Sequence, residues 1–129
     1  MAKRGKKTPL RGAKGIRLTK AKSRRLKPLK GVEEYTLLHR DVEPDISDTM
    51  VCGIVRHLKR HKWTIRYDEY YYVLSGHLRI TVGRKHYDMK KGDAIWLPAN
   101  TPLIYDPRPR ATAVYAVYPI DWRRRAGME

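Results

Sequence analysis

The sequence predicts an all-β fold, an antiparallel sandwich or barrel, with a basic arm in front of it. Three observations predict it. From Gly31 onward, short runs rich in β-branched and aromatic residues recur between Gly, Pro and Asp turn signals. Within several runs apolar and polar residues alternate with a period of two, as in residues 77–82. No stretch beyond the arm keeps a 3.6-residue apolar period long enough for a core helix.

The elements follow in order. Residues 34–39 form a first strand, ended by the polar stretch Arg40-Asp41-Val42-Glu43-Pro44-Asp45. Residues 50–58 form a second, with Gly53 as a bend or bulge. A basic loop, 59–62, leads into strands at 63–65 and 69–74, and Ser75-Gly76 turns the chain. Residues 77–82 place Leu78, Ile80 and Val82 on one face, and Gly83-Arg84 makes a hairpin into 85–89. Lys90-Lys91-Gly92-Asp93 turns into a strand at 94–97, and 98–102 form a loop before a strand at 103–106. After Pro107-Arg108-Pro109, residues 111–118 close the set.

The chain has 129 residues, room for one domain with a modest core. Its apolar runs fall far short of the roughly 20 residues that cross a bilayer. The single cysteine, Cys52, allows no internal disulfide and reads as a small buried residue on a strand, which suits a reducing cytoplasm. Charge divides the chain. Residues 1–31 hold thirteen cations and no acid: Lys3, Arg4, Lys6, Lys7, Arg11, Lys14, Arg17, Lys20, Lys22, Arg24, Arg25, Lys27 and Lys30. The other 98 residues hold 16 basic and 13 acidic groups, so most of the net +16 sits on the arm. The expected organisation is therefore an arm at 1–31, a barrel at 32–122 and a basic end at 123–129. Like charges and the lack of an apolar period leave the arm disordered on its own or ordered by a partner. It has no apolar stretch of a secretory signal, and cytoplasmic residence is expected; a transit peptide competes, because the arm lacks acids. A nucleic acid or other polyanion bound by counterion release is the functional reading of the arm, and a solvated tail is the plain one.

The segment Trp63-Thr64-Ile65-Arg66-Tyr67-Asp68-Glu69-Tyr70, running on to Gly76, carries a signature. Glu69 with Gly76, then Gly92 with Pro98, resemble the two cupin motifs. The Trp-Thr-Ile-x-Tyr-Asp-Glu-Tyr run, with Tyr118, Pro119 and Trp122 near the end and Met50-Val51-Cys52-Gly53 upstream, resembles the cupin domain of the ethanolamine-utilization protein Q (EutQ) type. The resemblance covers about residues 34–122 and implies a jelly-roll barrel, the double-stranded β-helix, paired as a homodimer through its outer face. Metal-binding cupins place histidines where this chain has Trp63 and Ile65, or Lys62 and Thr64, and Leu103. EutQ-type domains similarly lack them, so no metal and no cofactor is expected. Some of that family are reported as acetate kinases, an activity the resemblance implies for this chain; no GxxxxGK[ST] phosphate loop accompanies it.

Alternation puts Trp63, Ile65, Tyr67, Glu69, Tyr71 and Val73 on the barrel interior. Glu69 then enters an aromatic pocket, where desolvation raises its pKa and suits it to general acid/base work. The competing reading is a structural carboxylate held by Tyr hydroxyls or an Arg. Trp63, Tyr67 and Tyr71 are candidate pocket walls, and Asp68, on the opposite face, is a candidate ligand contact or turn cap. His57 and His61 are four apart amid cations that oppose a bound metal, and His77 and His86 lie on a hairpin. Arg123-Arg124-Arg125 is a second anion contact or a solubilising end. Two functions compete: a metal-free barrel that binds a small anionic metabolite with weak catalysis at Glu69, and a structural module docked by its arm on nucleic acid in a ribonucleoprotein or virion-like assembly.

Overall fold

The structure, a computed structural model, describes residues 16–43, 46–47 and 49–119. Eight strands make one antiparallel sheet: β1 (Lys27–Pro28), β2 (Thr36–Val42), β3 (Val51–His57), β4 (His61–Ile65), β5 (Asp68–Val82), β6 (Lys85–Lys90), β7 (Ala94–Leu97) and β8 (Thr101–Tyr118). Their order is β1-β2-β3-β8-β5-β6, with β4 added to β8 and β7 to β5.

Two long strands roll this sheet into a barrel. The first part of β8 lies between β4 and the second half of β5, with Leu103 opposite Trp63 and Tyr105 opposite both His61 and Ile80. Its last part lies between β3 and the first half of β5, with Tyr115 opposite Gly53 and Tyr71. The inward residues of both halves meet in one core, whose largest fully buried side chains are Ile65, Leu78, Ile80, Val51 and Val73.

The strand predictions hold with shifts of one to three residues, and three expectations change. Gly76 does not end a strand: β5 runs through it, with register shifts on either side. The glycine has φ +78°, and a Cβ there would collide with the Arg110 carbonyl oxygen of β8, so only glycine lets the two backbones approach so closely. Those shifts also explain the change of phase, from inward Tyr71 and Val73 to inward Leu78 and Ile80. Pro107-Arg108-Pro109 likewise lies within β8 rather than between strands. On that edge β4 pairs as far as Tyr105 and β3 takes over at Ala111, so a missing N–H at the prolines breaks no ladder there.

The third change concerns the arm. Its first fifteen residues, with Lys3, Arg4, Lys6, Lys7, Arg11 and Lys14, lie outside the described residues, as do Trp122 and Arg123-Arg124-Arg125. The described part is not structureless. Ala21–Ser23 is a 3-10 turn, β1 pairs with Leu37 and Leu38 of β2, Leu29 packs on the core and Val32 is buried. Arg24 grips Asp41 through two hydrogen bonds of 2.9 and 2.7 Å. Arg17, Lys20, Lys22, Arg25, Lys27 and Lys30 are exposed on this segment. Apolar anchors at Leu29 and Val32 offset the ordering entropy that the charge count alone made prohibitive. Cys52 is half-buried rather than buried, on the outer face of β3 opposite Ala116.

Candidate functional site

The inward side chains do not fill the barrel. A cavity of about 50 Å³ remains at one end, enough for a group of a few heavy atoms, since a water needs at least about 10–15 Å³. Alternation on β5 and the residues before it aims Tyr67, Glu69 and Tyr71 into this space, with Trp63 at its margin on β4. Leu29, Val32 and Leu38 close the opposite wall.

Glu69 is 5% exposed, and the Tyr105 hydroxyl donates to its Oε1 at 2.7 Å. Desolvation pushes its carboxyl up to about 8, against the opposing effect of the Tyr105 hydrogen bond. At neutral pH it is therefore a carboxylic acid with a proton to donate. His57 stands beside it in the same wall, its Nε2 2.8 Å from the Tyr71 hydroxyl and its ring stacked on Tyr105 at 4.5 Å. Burial, with a smaller contribution from His61, depresses its pKa to about 3, so this imidazole is neutral. The Trp63 indole N–H donates to the Tyr67 hydroxyl at 3.3 Å. His61 stacks on Tyr35 at 4.4 Å beneath Trp63. Burial raises the phenol pKa values of Tyr67, Tyr71 and Tyr105, so all three stay protonated.

Two polar atoms in this wall have no protein partner, His57 Nδ1 and the Tyr115 hydroxyl. A buried polar atom left unpaired costs about 1–3 kcal/mol. The cavity is thus uncharged, aromatic and furnished with a carboxyl, a hydroxyl and an imidazole. Such a set can hold a small polar molecule by hydrogen bonds and exchange a proton with it at Glu69. Among the described residues, no three His, Cys, Asp or Glu side chains are grouped to hold a metal ion.

Of the residues singled out in the sequence, Trp63, Tyr67, Glu69 and Tyr71 come together at the cavity. Asp68 does not: it faces away and accepts the Ala99 N–H at 2.9 Å, capping the loop before β8. His77 and His86 lie on the β5–β6 hairpin, away from the cavity. The hydrogen bond from Tyr105 is the kind expected of a structural carboxylate, and it leaves the Glu69 proton available as well. The sequence reading weighed His57 only as a metal ligand amid cations, and it singled out neither Tyr105 nor Tyr115. Their signal was parity: His57 continues the inward series Val51, Gly53, Val55, and Tyr115 continues Ala111, Ala113.

Comparison with known proteins agrees with this architecture. The family description "Ethanolamine utilisation protein EutQ" matches residues 2–124. A curated relative, acetate kinase EutQ of Clostridioides difficile (strain 630), is 32% identical over 77 residues, which are 59% of this chain and 49% of the relative. The match thus spans about half the length of that protein. Among solved structures, the Clostridium difficile EutQ protein superposes with a TM-score of 0.76 at 23% identity, covering 86% of this chain and 85% of its own. A putative ethanolamine utilization protein Q from Salmonella typhimurium LT2 gives 0.75 at 23%, covering 88% and 94%. A polyketide cyclase from Streptomyces resistomycificus gives 0.67 at 15%, covering 80% and 79%. At these identities the structural likeness shows the fold.

Proposed function

We propose that this chain, which belongs to the ethanolamine utilisation protein EutQ family, binds a small organic acid in its barrel, with Glu69 as the proton-donating contact. The observation that carries this reading is Glu69 itself: a buried carboxyl held neutral, on a residue that lines a cavity of about 50 Å³ together with Tyr115, whose hydroxyl has no protein partner. A protonated carboxyl and a phenol together offer two donors to a carboxylate, whereas an ionised Glu69 would repel it. A two- or three-carbon acid is the size that fits. The curated relative's name makes acetate the first acid to test and phosphoryl transfer to it the first reaction. In that reaction protonated Glu69 would hold one oxygen of the acceptor carboxylate by a hydrogen bond and leave the other to attack the phosphorus, and the chain has no GxxxxGK[ST] phosphate loop.

The test is thermal stabilisation by acetate and propionate, measured at pH 6 and pH 9. Stabilisation at pH 6 that weakens about tenfold in apparent affinity at pH 9, and is lost in Glu69→Gln, is the expected result. Equal stabilisation at both pH values, or an unchanged response in Glu69→Gln, sinks the assignment.

The polycationic arm favours a second reading, in which the barrel is a structural module held on nucleic acid. Supporting it are thirteen cations without an acid in residues 1–31, of which Arg24 is engaged by Asp41. Because β1 pairs with β2 and Leu29 packs on the core, the informative truncation removes residues 1–15 and not 1–31. Loss of six cations lowers the slope of log affinity against log salt by up to about 5 if all touch phosphates. An unchanged slope removes this reading. The two are compatible, and the barrel is expected to pair as a homodimer in either.

A further inference from the structure

The barrel's small net charge hides a division along the chain. Residues 32–58 hold two Lys or Arg and six acids, whereas residues 59–110 hold eleven Lys or Arg and five acids. One of those five, Glu69, is buried and neutral. All eleven cations lie on one wall, made of β4, β8 up to Arg110, the second half of β5 and β6, or on the turns that bound these strands.

Register arranges the outer face of this wall in rows. Lys62 lies opposite Ile104, Ile104 opposite Thr81, and Thr81 opposite His86. In the next row Arg79 lies between Asp106 and Asp88. In the row after that His77 lies opposite Lys90, with Arg108 and Arg110 exposed on the nearby stretch of β8. The acids of the wall are already engaged. Arg79 Nε donates to Asp88 at 2.7 Å, Arg108 to Asp106 at 2.9 Å, and Asp93 accepts the Lys90 backbone N–H at 3.0 Å. Among the described residues no carboxylate pairs with the side chain of Lys62, Arg84, Lys90, Lys91 or Arg110. A depression of about 410 Å³ lies among these groups. His77, Arg79, Lys90 and Arg108 line it, and Leu78 and Met89 add apolar surface. It shares no lining residue with the cavity that holds Glu69.

We propose that this wall binds single-stranded nucleic acid, with one unstacked base in the depression against Leu78, Met89 and the His77 ring and the flanking phosphates on Lys90 and Arg110. This rests on the nucleic-acid reading of the arm and adds a second contact on the barrel itself. Phosphates supply the anions that these cations lack, and the counterions they release drive association. Four strands at a spacing of about 4.8 Å make a wall roughly 14 Å across, broader than the ~12 Å major groove, so a duplex meets it only along its backbone. A single strand splays its bases, and a depression lined by apolar side chains and an imidazole takes one by stacking and desolvation.

Fluorescence anisotropy of the full chain with a 15-nucleotide oligo(dT), its duplex with oligo(dA), and polyglutamate of the same length tests this. The single strand is expected to bind tightest. Lys90→Ala/Arg110→Ala is expected to weaken it about tenfold and to lower the slope of log affinity against log salt by about 1.4, two phosphate contacts' worth. His77→Ala is expected to weaken it about fivefold with the slope unchanged, because stacking carries no counterion release. All three residues are exposed, so these variants leave the core untouched. Binding that ignores the Lys90/Arg110 pair and vanishes on removal of residues 1–15 overturns the wall and leaves the arm's reading standing. No binding of the single strand by the full chain overturns both. Duplex bound as tightly as the single strand, or His77→Ala without effect, overturns the base contact. Polyglutamate bound as tightly overturns the assignment in favour of an acidic protein partner.

Discussion

At the scale of single residues, Glu69 and His57 make opposite contributions to stability as pH changes. Glu69 holds its proton up to about 8 in the fold against 4.5 for an ordinary glutamate. The folded chain binds the extra proton between those values, so stability falls as pH rises through them. His57 loses its proton at about 3 in the fold against 6.5 outside it, so stability rises with pH over that window. The two slopes cancel where the windows overlap. Urea unfolding should therefore show stability climbing from pH 3 to 4.5, level to 6.5 and falling to 8, with an alkaline loss on the order of 2 kcal/mol. Glu69→Gln should flatten the alkaline limb and keep the acid one. An alkaline limb unchanged in that variant would mean that another group titrates there.

At the scale of elements, the crossing of β5 over β8 is held by one missing side chain. Gly76→Ala places a methyl against the Arg110 carbonyl at a backbone angle of +78°. Strain and collision together should cost about 3 kcal/mol or more, read as a fall in the denaturation midpoint with the slope unchanged. A loss under about 1 kcal/mol would show that the crossing relaxes easily. The same glycine marks where sequence reasoning stopped. The alternation from Trp63 to Val73 was legible because a single phase runs along it, and it placed Glu69 inward correctly. The phase change after Gly76 looked like a turn, because a bulge and a turn share their residue types. His57 was legible by parity and hidden by charge: Arg56, Lys59 and Arg60 around it read as a basic surface, while its own side chain points inward. Leu29 was hidden in the same way by the thirteen cations of the arm. Tyr105 and Tyr115 reach Glu69 only through the strand order, which local periodicity does not encode.

At the scale of the molecule, the outer face of β5, β7 and β8 leaves large aromatic side chains uncovered. Trp96 lies opposite Tyr70 and is 60% exposed, Tyr118 is 56% exposed, and Tyr72 and Leu74 continue the patch. Contiguous aromatic surface of this kind marks an interface more often than a solvated wall. The proposed homodimer uses this face. Trp96→Glu should convert it to monomer in sedimentation equilibrium, with at least a tenfold rise in dissociation constant. A parent chain that is monomeric at 100 times micromolar protein, about 0.1 mM, removes the dimer. Charge adds a second asymmetry, because the near-neutral barrel carries its cations on a segment anchored next to the cavity wall.

The two long strands have a consequence for how the barrel comes apart. β5 pairs with β6, β7 and β8, and β8 pairs with β3, β4 and β5, so among the described strands only the β1–β2 and β2–β3 ladders involve neither long strand. The central ladder between β5 and β8 therefore belongs to one cooperative unit, whose amides exchange with solvent only when the whole domain opens. The ladder of β1 on β2 has two residue pairs, and Leu29, which follows it, lines the cavity. In the proposed reading, a small acid would enter and leave by local opening at this sheet edge, with the β5–β8 ladder intact.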